Sequence, residues 1–139
     1  MLPFMVDTKG MLGKRTGHWR AFVPFLLNGA AYGGSMGTAT GYRKYLQALM
    51  TDDRLLSPRW RESMFKEHCT NDGKPTGMAM SWFVGDRNGS PYVTHAGGGG
   101  GYYAELRLYP TLARGSVALF NRTGVKDERL LDELDPVGH

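Results

Sequence analysis

The run of five glycines at Gly97–Gly101 places the strongest constraint on what this chain of 139 residues can fold into. Glycine loses more backbone entropy on folding than any other residue, so five in a row are an unfavourable way to build an ordinary turn. The run follows His95 and Ala96 and lies between two strand-like segments, which indicates a close approach of two strands or of a ligand. A phosphate-binding loop is excluded, because it needs a helix directly after the glycines and a strand is predicted there.

The C-terminal half of the sequence predicts an antiparallel meander. Apolar residues alternate over 77–85, which predicts one half-buried strand, and Asn88-Gly89 predicts a hairpin turn after it. The returning strand is expected to end at His95, just before the glycines. Two further strands are predicted over 102–109 and 115–121.

Helical periodicity predicts two helices before this meander and one after it. Thr38 or Thr40 can cap a helix within 38–50, and Ser57 with Pro58 begins a second helix. Acidic residues in the first turn favour a short closing helix over 127–134. The residues expected to face the core from the first two helices are Tyr42, Tyr45, Leu46, Leu49, Met50, Trp60 and Met64.

These patterns together predict one domain over residues 1–139 of the α+β class. It consists of an irregular segment over 1–37 and, over 38–139, an antiparallel sheet of about four strands with flanking helices.

Charge and composition exclude several classes of function. The net charge is +4, but the 17 basic residues are scattered and form no stripe interleaved with aromatics, so we predict no nucleic-acid partner. No apolar run is long enough to span a bilayer and no signal peptide is recognisable, so the chain as written is expected to be cytoplasmic. Cys69 is the single cysteine, which rules out an internal disulfide.

Two serines are candidate nucleophiles. Ser35 lies in a Gly-x-Ser-x-Gly match, although no strand leads into it and the glycine-rich loop follows it instead of preceding it. Ser63 and Lys66 match Ser-x-x-Lys, in which a lysine amine three residues on can activate the serine hydroxyl, but a solvated helix face explains the same pattern.

His95 is the titratable group that the sequence singles out. It is expected at a strand end beside glycines whose N–H groups no side chain obstructs, and such N–H groups can stabilise a developing oxyanion. A histidine satisfied by a neighbouring carbonyl is the alternative. The histidines and Cys69 show no ligand spacing, so we predict neither a metal ion nor a cofactor.

Five segments of the sequence, taken in order, resemble serine hydrolases of the β-lactamase and penicillin-binding-protein superfamily. They are YGGSMGTATGYRKYLQALM, LLSPRWRESMF, GMAMSWFV, THAGGGGGYYAELRLYP and GSVALFNRTG. The similarity is to the class C-like branch, which includes DD-peptidases and family VIII esterases. It covers roughly residues 30–124 and corresponds to the C-terminal part of such an enzyme.

The resemblance implies that His95-Ala96-Gly97 is the third catalytic motif, a Lys/His-x-Gly triplet on a strand that lines the active site. His95 would then position the substrate, and the backbone N–H of Gly98 would donate to the oxyanion. The implied substrate is an ester, an amide or a β-lactam.

The sequence also departs from that family. The nucleophilic Ser-x-x-Lys and the Tyr/Ser-x-Asn motif belong upstream of these segments, and neither Tyr-x-Asn nor Ser-x-Asn occurs in this sequence. Ser63-Lys66 falls where the family has a surface helix. We therefore expect an incomplete hydrolase domain that carries one wall of an active site and needs a missing N-terminal half.

Two alternatives to a hydrolase are left open. One is a non-catalytic remnant that binds acyl or peptide ligands at 95–101, where Gly99 and Tyr102 would contact the ligand. The other is an interaction module whose sheet pairs with another chain. An isolated part of such an enzyme would expose a sheet edge, so a homo-oligomer is expected.

Overall fold

The computed structural model describes residues 4–5, 12–17, 19–22, 35, 37–99, 102–121 and 130–135. Within them, the strands are β1 (Phe4–Met5), β2 (Leu12–Thr16), β3 (Trp19–Phe22), β4 (Met78–Ala79), β5 (Trp82–Arg87), β6 (Ser90–Gly99), β7 (Tyr102–Tyr109) and β8 (Arg114–Phe120). The α-helices are α1 (Ala39–Thr51), α2 (Pro58–Phe65) and α3 (Leu131–Leu134), and a single 3₁₀ turn covers Pro110–Leu112. In the described part of the chain, no helix is both long enough and apolar enough to cross a membrane.

The main sheet is antiparallel and has five strands in the order β4-β5-β6-β7-β8. Together with the helices it confirms the α+β class. The predicted strands over 102–109 and 115–121 correspond to β7 and β8, and Asn88 and Gly89 both have positive φ, as the predicted hairpin turn requires.

The single strand predicted over 77–85 is wrong, because two strands occupy this segment. The register pairs Met78 with Phe83 and Ala79 with Trp82, so the chain turns at Met80 and Ser81. Ser81 has a φ of 63°, a left-handed conformation that a non-glycine residue seldom adopts. Apolar residues continue at every second position through this turn, so the periodicity gave no sign of it.

The irregular structure predicted for residues 1–37 is also wrong for the residues described there. Strands β1, β2 and β3 form a small antiparallel sheet in the order β1-β3-β2.

Strand β6 is longer than predicted. It runs past His95 to Gly99, and its register with β7 continues to the pair Gly99↔Tyr102. The prediction that the strand ends at His95 is therefore wrong, and the glycine run begins inside the sheet. Gly100 and Gly101 lie outside the described residues.

One face of the sheet is covered by α1 and α2. Thr38 caps α1, since its Oγ1 accepts a hydrogen bond of 3.0 Å from the Gly41 N–H, as predicted. The residues of α1 that are buried in the core are Leu46, Leu49 and Met50, whereas Tyr45 is 52% exposed, contrary to prediction. The core also contains Ala79, Trp82, Val93 and Leu108 from the sheet.

Helix α2 begins at Pro58, as predicted, and contributes a different aromatic ring from the one expected. Trp60 is 59% exposed and does not face the core, so that prediction is wrong. Met64 packs against the core as expected, and the ring of Phe65 lies edge-on to Trp82 with centroids 6.2 Å apart.

The opposite face carries α3 and a buried network of charged groups. Of the helix predicted over 127–134, the structure shows Leu131–Leu134, and residues 122–129 lie outside the described part. The guanidinium of Arg107 on β7 donates hydrogen bonds to Asp132 and, at 3.5 Å, to Glu105. It also lies 3.8 Å from an Asp135 carboxylate oxygen.

The sheet hydrogen-bonds the two ends of α3 through the carboxylates of this network. The Leu131 N–H donates to Glu105 Oε2 at 3.0 Å. Asp135 accepts hydrogen bonds from the Tyr109 hydroxyl at 2.7 Å and from Ser116 Oγ at 2.8 Å. Because Arg107, Glu105 and Asp135 are at most 1% exposed, every one of these charges depends on its protein partners.

We predict that Arg107→Leu lowers the free energy of unfolding by about 3–5 kcal/mol, because it leaves buried carboxylates without their cation. Chemical denaturation monitored by circular dichroism measures the change. The matched control is Arg54→Leu, which removes an arginine that pairs with Asp52 at 2.7 Å but is 91% exposed. The control should unfold like the wild type, since exposed ion pairs contribute little. Equal losses in the two variants would contradict this account of the network.

We also predict that Gly85→Ala destabilises the sheet. A β-carbon at Gly85 would lie 2.4 Å from Cζ of Tyr92, and that ring cannot easily move because the Arg107 guanidinium is stacked 4.2 Å from its centroid. The expected loss in thermal denaturation corresponds to about 1–3 kcal/mol. Gly97→Ala is the control, because a β-carbon there meets nothing within 4 Å. A loss in the control as large as that in Gly85→Ala would refute the steric explanation.

Candidate functional site

His95 lies on β6 opposite Leu106 of β7, with its side chain exposed. The imidazole is 6.2 Å from the ring of Phe83, measured between centroids, and the two rings are tilted by 32°. Among the described residues, none donates to or accepts from the imidazole. Its two nitrogens are therefore available to a ligand, and the alternative of a histidine satisfied by a neighbouring carbonyl finds no support in these residues.

The segment from His95 to Gly99 forms an open edge of the sheet. Strand β6 pairs with β5 only as far as Thr94, opposite Phe83, but with β7 as far as Gly99. Beyond Thr94 the segment is thus hydrogen-bonded on one side only, within the part of the chain that the structure describes. Alternate N–H and C=O groups of a strand point to each side, so this edge offers backbone donors and acceptors to an incoming group.

Packing does not require glycine at two positions of this edge, Gly97 and Gly98. A β-carbon at Gly97 would meet nothing within 4 Å, and one at Gly98 would lie in ordinary contact, 3.4 Å from the Tyr103 ring. Neither glycine has the positive φ that would exclude a side chain, and both are exposed. The absence of side chains therefore leaves the backbone accessible from outside.

Gly99 and Tyr102, the predicted ligand contacts, form the last described pair of this hairpin. Tyr102 is 40% exposed. His95, Gly97, Gly98, Gly99 and Tyr102 thus belong to one continuous end of the β6–β7 hairpin.

The structure does not bring Ser63 and Lys66 together. Helix α2 ends at Phe65, and Lys66 at its C-terminus has extended dihedral angles, with φ −75° and ψ 130°. Lys66 is exposed and Ser63 is half-buried, and no hydrogen bond joins the two side chains. Because the helix ends one residue before Lys66, the lysine is not placed one helical turn after Ser63.

Lys66 instead contributes to the wall of an open cleft of about 450 Å³ between α2 and the sheet. The residues around it are mainly apolar and include neither Ser63 nor His95: they are Pro58, Arg61, Glu62, Phe65, Lys66, Val84, Pro91, Tyr92, Val93, Pro110 and Thr111. The cleft therefore does not unite the candidate catalytic groups.

Ser35 is exposed, and its carbonyl oxygen accepts a hydrogen bond of 3.0 Å from the Tyr42 hydroxyl. Gly33, Gly34 and Met36 of its motif lie outside the described residues. All six serines of the sequence are described, and none of their hydroxyls is hydrogen-bonded to a histidine or a lysine that the structure describes. No serine in the structure is thus paired with a general base of either kind.

A buried cluster of titratable groups is the network around Arg107. Burial raises the pKa of Glu105, and this effect exceeds the opposing effects of its hydrogen bonds and of the Arg107 charge. Burial and the hydrogen bond to Asp135 raise the pKa of Tyr109 to about 12. Burial opposes the charge of Arg107, but its ion pair with Asp132 and its other interactions outweigh burial and raise its pKa.

Sequence reasoning missed this network, although a signal for it existed. Tyr103, Glu105, Arg107 and Tyr109 occupy alternate positions of β7 and therefore share one face, while the apolar residues between them face α1 and α2. When such a face is buried, its charged groups need polar partners, and Asp132 and Asp135 of the acidic segment at 132–135 supply them. Apart from Nε of Arg107, which has no hydrogen-bond partner, the buried side-chain polar atoms of the network are bonded within the protein. We therefore assign the network to the stability of the fold.

No group of three or more histidine, cysteine, aspartate or glutamate side chains could hold a metal ion in the described part of the chain. Comparison of the chain with models of known protein families, with curated proteins and with solved structures found no match.

We predict that Glu105→Gln changes how stability depends on pH. Because the pKa of Glu105 is raised on folding, its contribution to stability is complete below its ordinary value of 4.5 and is lost as the pH rises through the raised value. Glutamine keeps an acceptor for the Leu131 N–H but never ionises. Urea unfolding at pH 4 to 7 should therefore show the variant gaining stability relative to the wild type as the pH rises. A difference that is constant across this range would contradict the raised pKa.

Proposed function

We propose that this chain carries the acyl-binding wall of a serine hydrolase site of the β-lactamase and penicillin-binding-protein kind. The observation that supports the proposal best is the open edge at His95–Gly99, which combines an exposed imidazole, glycines that packing does not require and unpaired backbone groups. The ligand is an ester, an amide or a β-lactam, or a peptide that presents such a carbonyl group.

Each part of this edge can contribute to acyl transfer. Backbone N–H groups aimed at a carbonyl oxygen stabilise the negative charge that develops on it, which is usually the largest single contribution to such catalysis. An extended ligand can also hydrogen-bond along an open strand as an added strand. The imidazole of His95 can donate to or accept from a polar group of the same ligand, and the Phe83 ring offers an apolar surface beside it.

The nucleophile is assigned to a different polypeptide segment from those described. A serine becomes nucleophilic when a base removes its proton, and none of the six serines has a histidine or lysine partner among the described residues. This chain alone is therefore proposed to bind the ligand and to orient its carbonyl group. Hydrolysis requires an added segment that carries an activated serine.

The first test is whether the chain reacts on its own. It is incubated with a fluorophosphonate probe, and its intact mass is measured before peptide mapping. We expect no adduct at Ser35, at Ser63 or at any other serine, with folding confirmed by circular dichroism. An adduct at a single serine that denaturation abolishes would show that the chain has its own nucleophile, and the assignment to another segment would be wrong.

The second test is ligand binding at the edge. Titration with a β-lactam and with an N-acetylated dipeptide, followed by ¹⁵N amide shifts, should perturb Gly97 and Gly98 first. Gly98→Val should weaken binding at least tenfold, because its side chain covers the backbone that the ligand approaches. Arg114→Val is the control, since it places the same side chain at an exposed position of β8 and should bind like the wild type. Equal affinity in Gly98→Val and the wild type would overturn the proposal.

A further inference from the structure

The second open edge of the main sheet is β8. It pairs with β7 along its whole length, from Tyr103↔Phe120 to Tyr109↔Arg114, and with no other strand of the described chain. The register is continuous over seven pairs, so no bulge bends the strand away. At the other end of the sheet, β4 has only two residues and offers little to pair with.

Described residues cover the two faces at β8, whereas no described strand other than β7 pairs with it. On one side, Met50 of α1 comes within 3.8 Å of where a β-carbon of Gly115 would lie. On the other side, Ser116 is hydrogen-bonded to Asp135 at the end of α3. Along the strand, Gly115 and Leu119 are exposed, Leu119 by 37%.

Strand β8 lacks the features with which sheet proteins protect an edge. Its sequence, RGSVALF, contains no proline and no lysine, and its single charge is at its first residue, Arg114. Proteins that stay monomeric usually interrupt such a strand with a charge, a proline or a bulge. An edge of this length without any of them is a template for another strand.

We propose that β8 pairs with β8 of a second copy of this chain, antiparallel and centred on Val117. A two-fold axis there makes the contact close on itself as a dimer and joins two five-stranded sheets into one. The pairs across the axis are Val117 with Val117, Ser116 with Ala118, Gly115 with Leu119, and Arg114 with Phe120.

This register is self-complementary in size and in charge. Leu119 is the largest exposed side chain on the α1 side of β8. In this register it lies opposite Gly115, which has no side chain to obstruct it. Arg114 lies opposite Phe120 and not opposite another cation, so like charges do not meet and the guanidinium can contact the ring. Moving the two-fold axis by one residue would pair Ser116 or Ala118 with itself and would lose the match of Leu119 to Gly115. The inference does not depend on the proposed function, because it concerns the other edge of the sheet.

A cysteine placed on the axis tests both the edge and the register. In a Cys69→Ser background, Val117→Cys brings two β-carbons to about 4.5–5.5 Å across the dimer, close enough for a disulfide after modest adjustment. Mild oxidation at micromolar concentration should convert this variant to a covalent dimer. Leu119→Cys is the control, because in the proposed register this residue lies opposite Gly115 and not opposite a second cysteine. This variant should form at least tenfold less covalent dimer.

Sedimentation of the unmodified chain completes the test. We expect a species of twice the chain mass, and Leu119→Lys, which changes a partly exposed residue, should weaken self-association at least tenfold while the circular dichroism spectrum is unchanged. A strictly monomeric chain at high concentration overturns the proposal. So does a dimer that Leu119→Lys leaves intact, or one in which Leu119→Cys cross-links as readily as Val117→Cys.

Discussion

The position of Arg107 in the middle of β7 determines much of what surrounds it. Its guanidinium connects the central strand of the β6–β7–β8 segment to α3, a helix of four residues that is too short to be stable by itself. Two buried carboxylates, Glu105 and Asp135, lie in the same network. These charged groups are shielded from water and hydrogen-bonded only when α3 packs on this face of the sheet. Buried ion pairs often contribute less to stability than to the choice of one arrangement, and here we infer that the network fixes how α3 and β7 fit together.

The two open edges of the sheet differ in origin and in chemistry: one lies where the β5–β6 pairing ends at Thr94, and the other is the last strand of the sheet. At His95–Gly99 the edge is nearly free of side chains, which leaves room for a small ligand to reach the backbone. At β8 the edge presents Val117 and Leu119, whose side chains favour contact with another strand. The proposed ligand site and the proposed dimer contact thus both use unpaired backbone groups. They differ in the neighbouring side chains, which are nearly absent at the first edge and apolar at the second.

Local signals in the sequence were sufficient for the elements that depend on local physics. The Thr38 cap, the helix start at Pro58, the Asn88-Gly89 turn and the strands β7 and β8 were predicted because a few adjacent residues determine each of them. The turn at Ser81 was missed because serine is a rare residue for its conformation, and Trp60 was misplaced because packing selected Phe65 instead. The site could be predicted only in part. The residues around His95 are neighbours along the chain, but the start of β5 at Trp82, which leaves the edge open, depends on how the strands pair in the sheet.

The order of strands in the main sheet has a consequence for how the chain reaches its native state. Every strand pairs with its immediate neighbours in sequence, and the connections are short, such as Met80–Ser81 and Asn88–Gly89. The sheet can therefore grow hairpin by hairpin with small losses of loop entropy, which is typical of chains that fold quickly. Contacts between α3 and the sheet instead join residues 19 to 45 positions apart, and closing such loops costs more entropy. We therefore expect the charges of Arg107 and Glu105 to be buried late in folding, when α3 docks on the sheet.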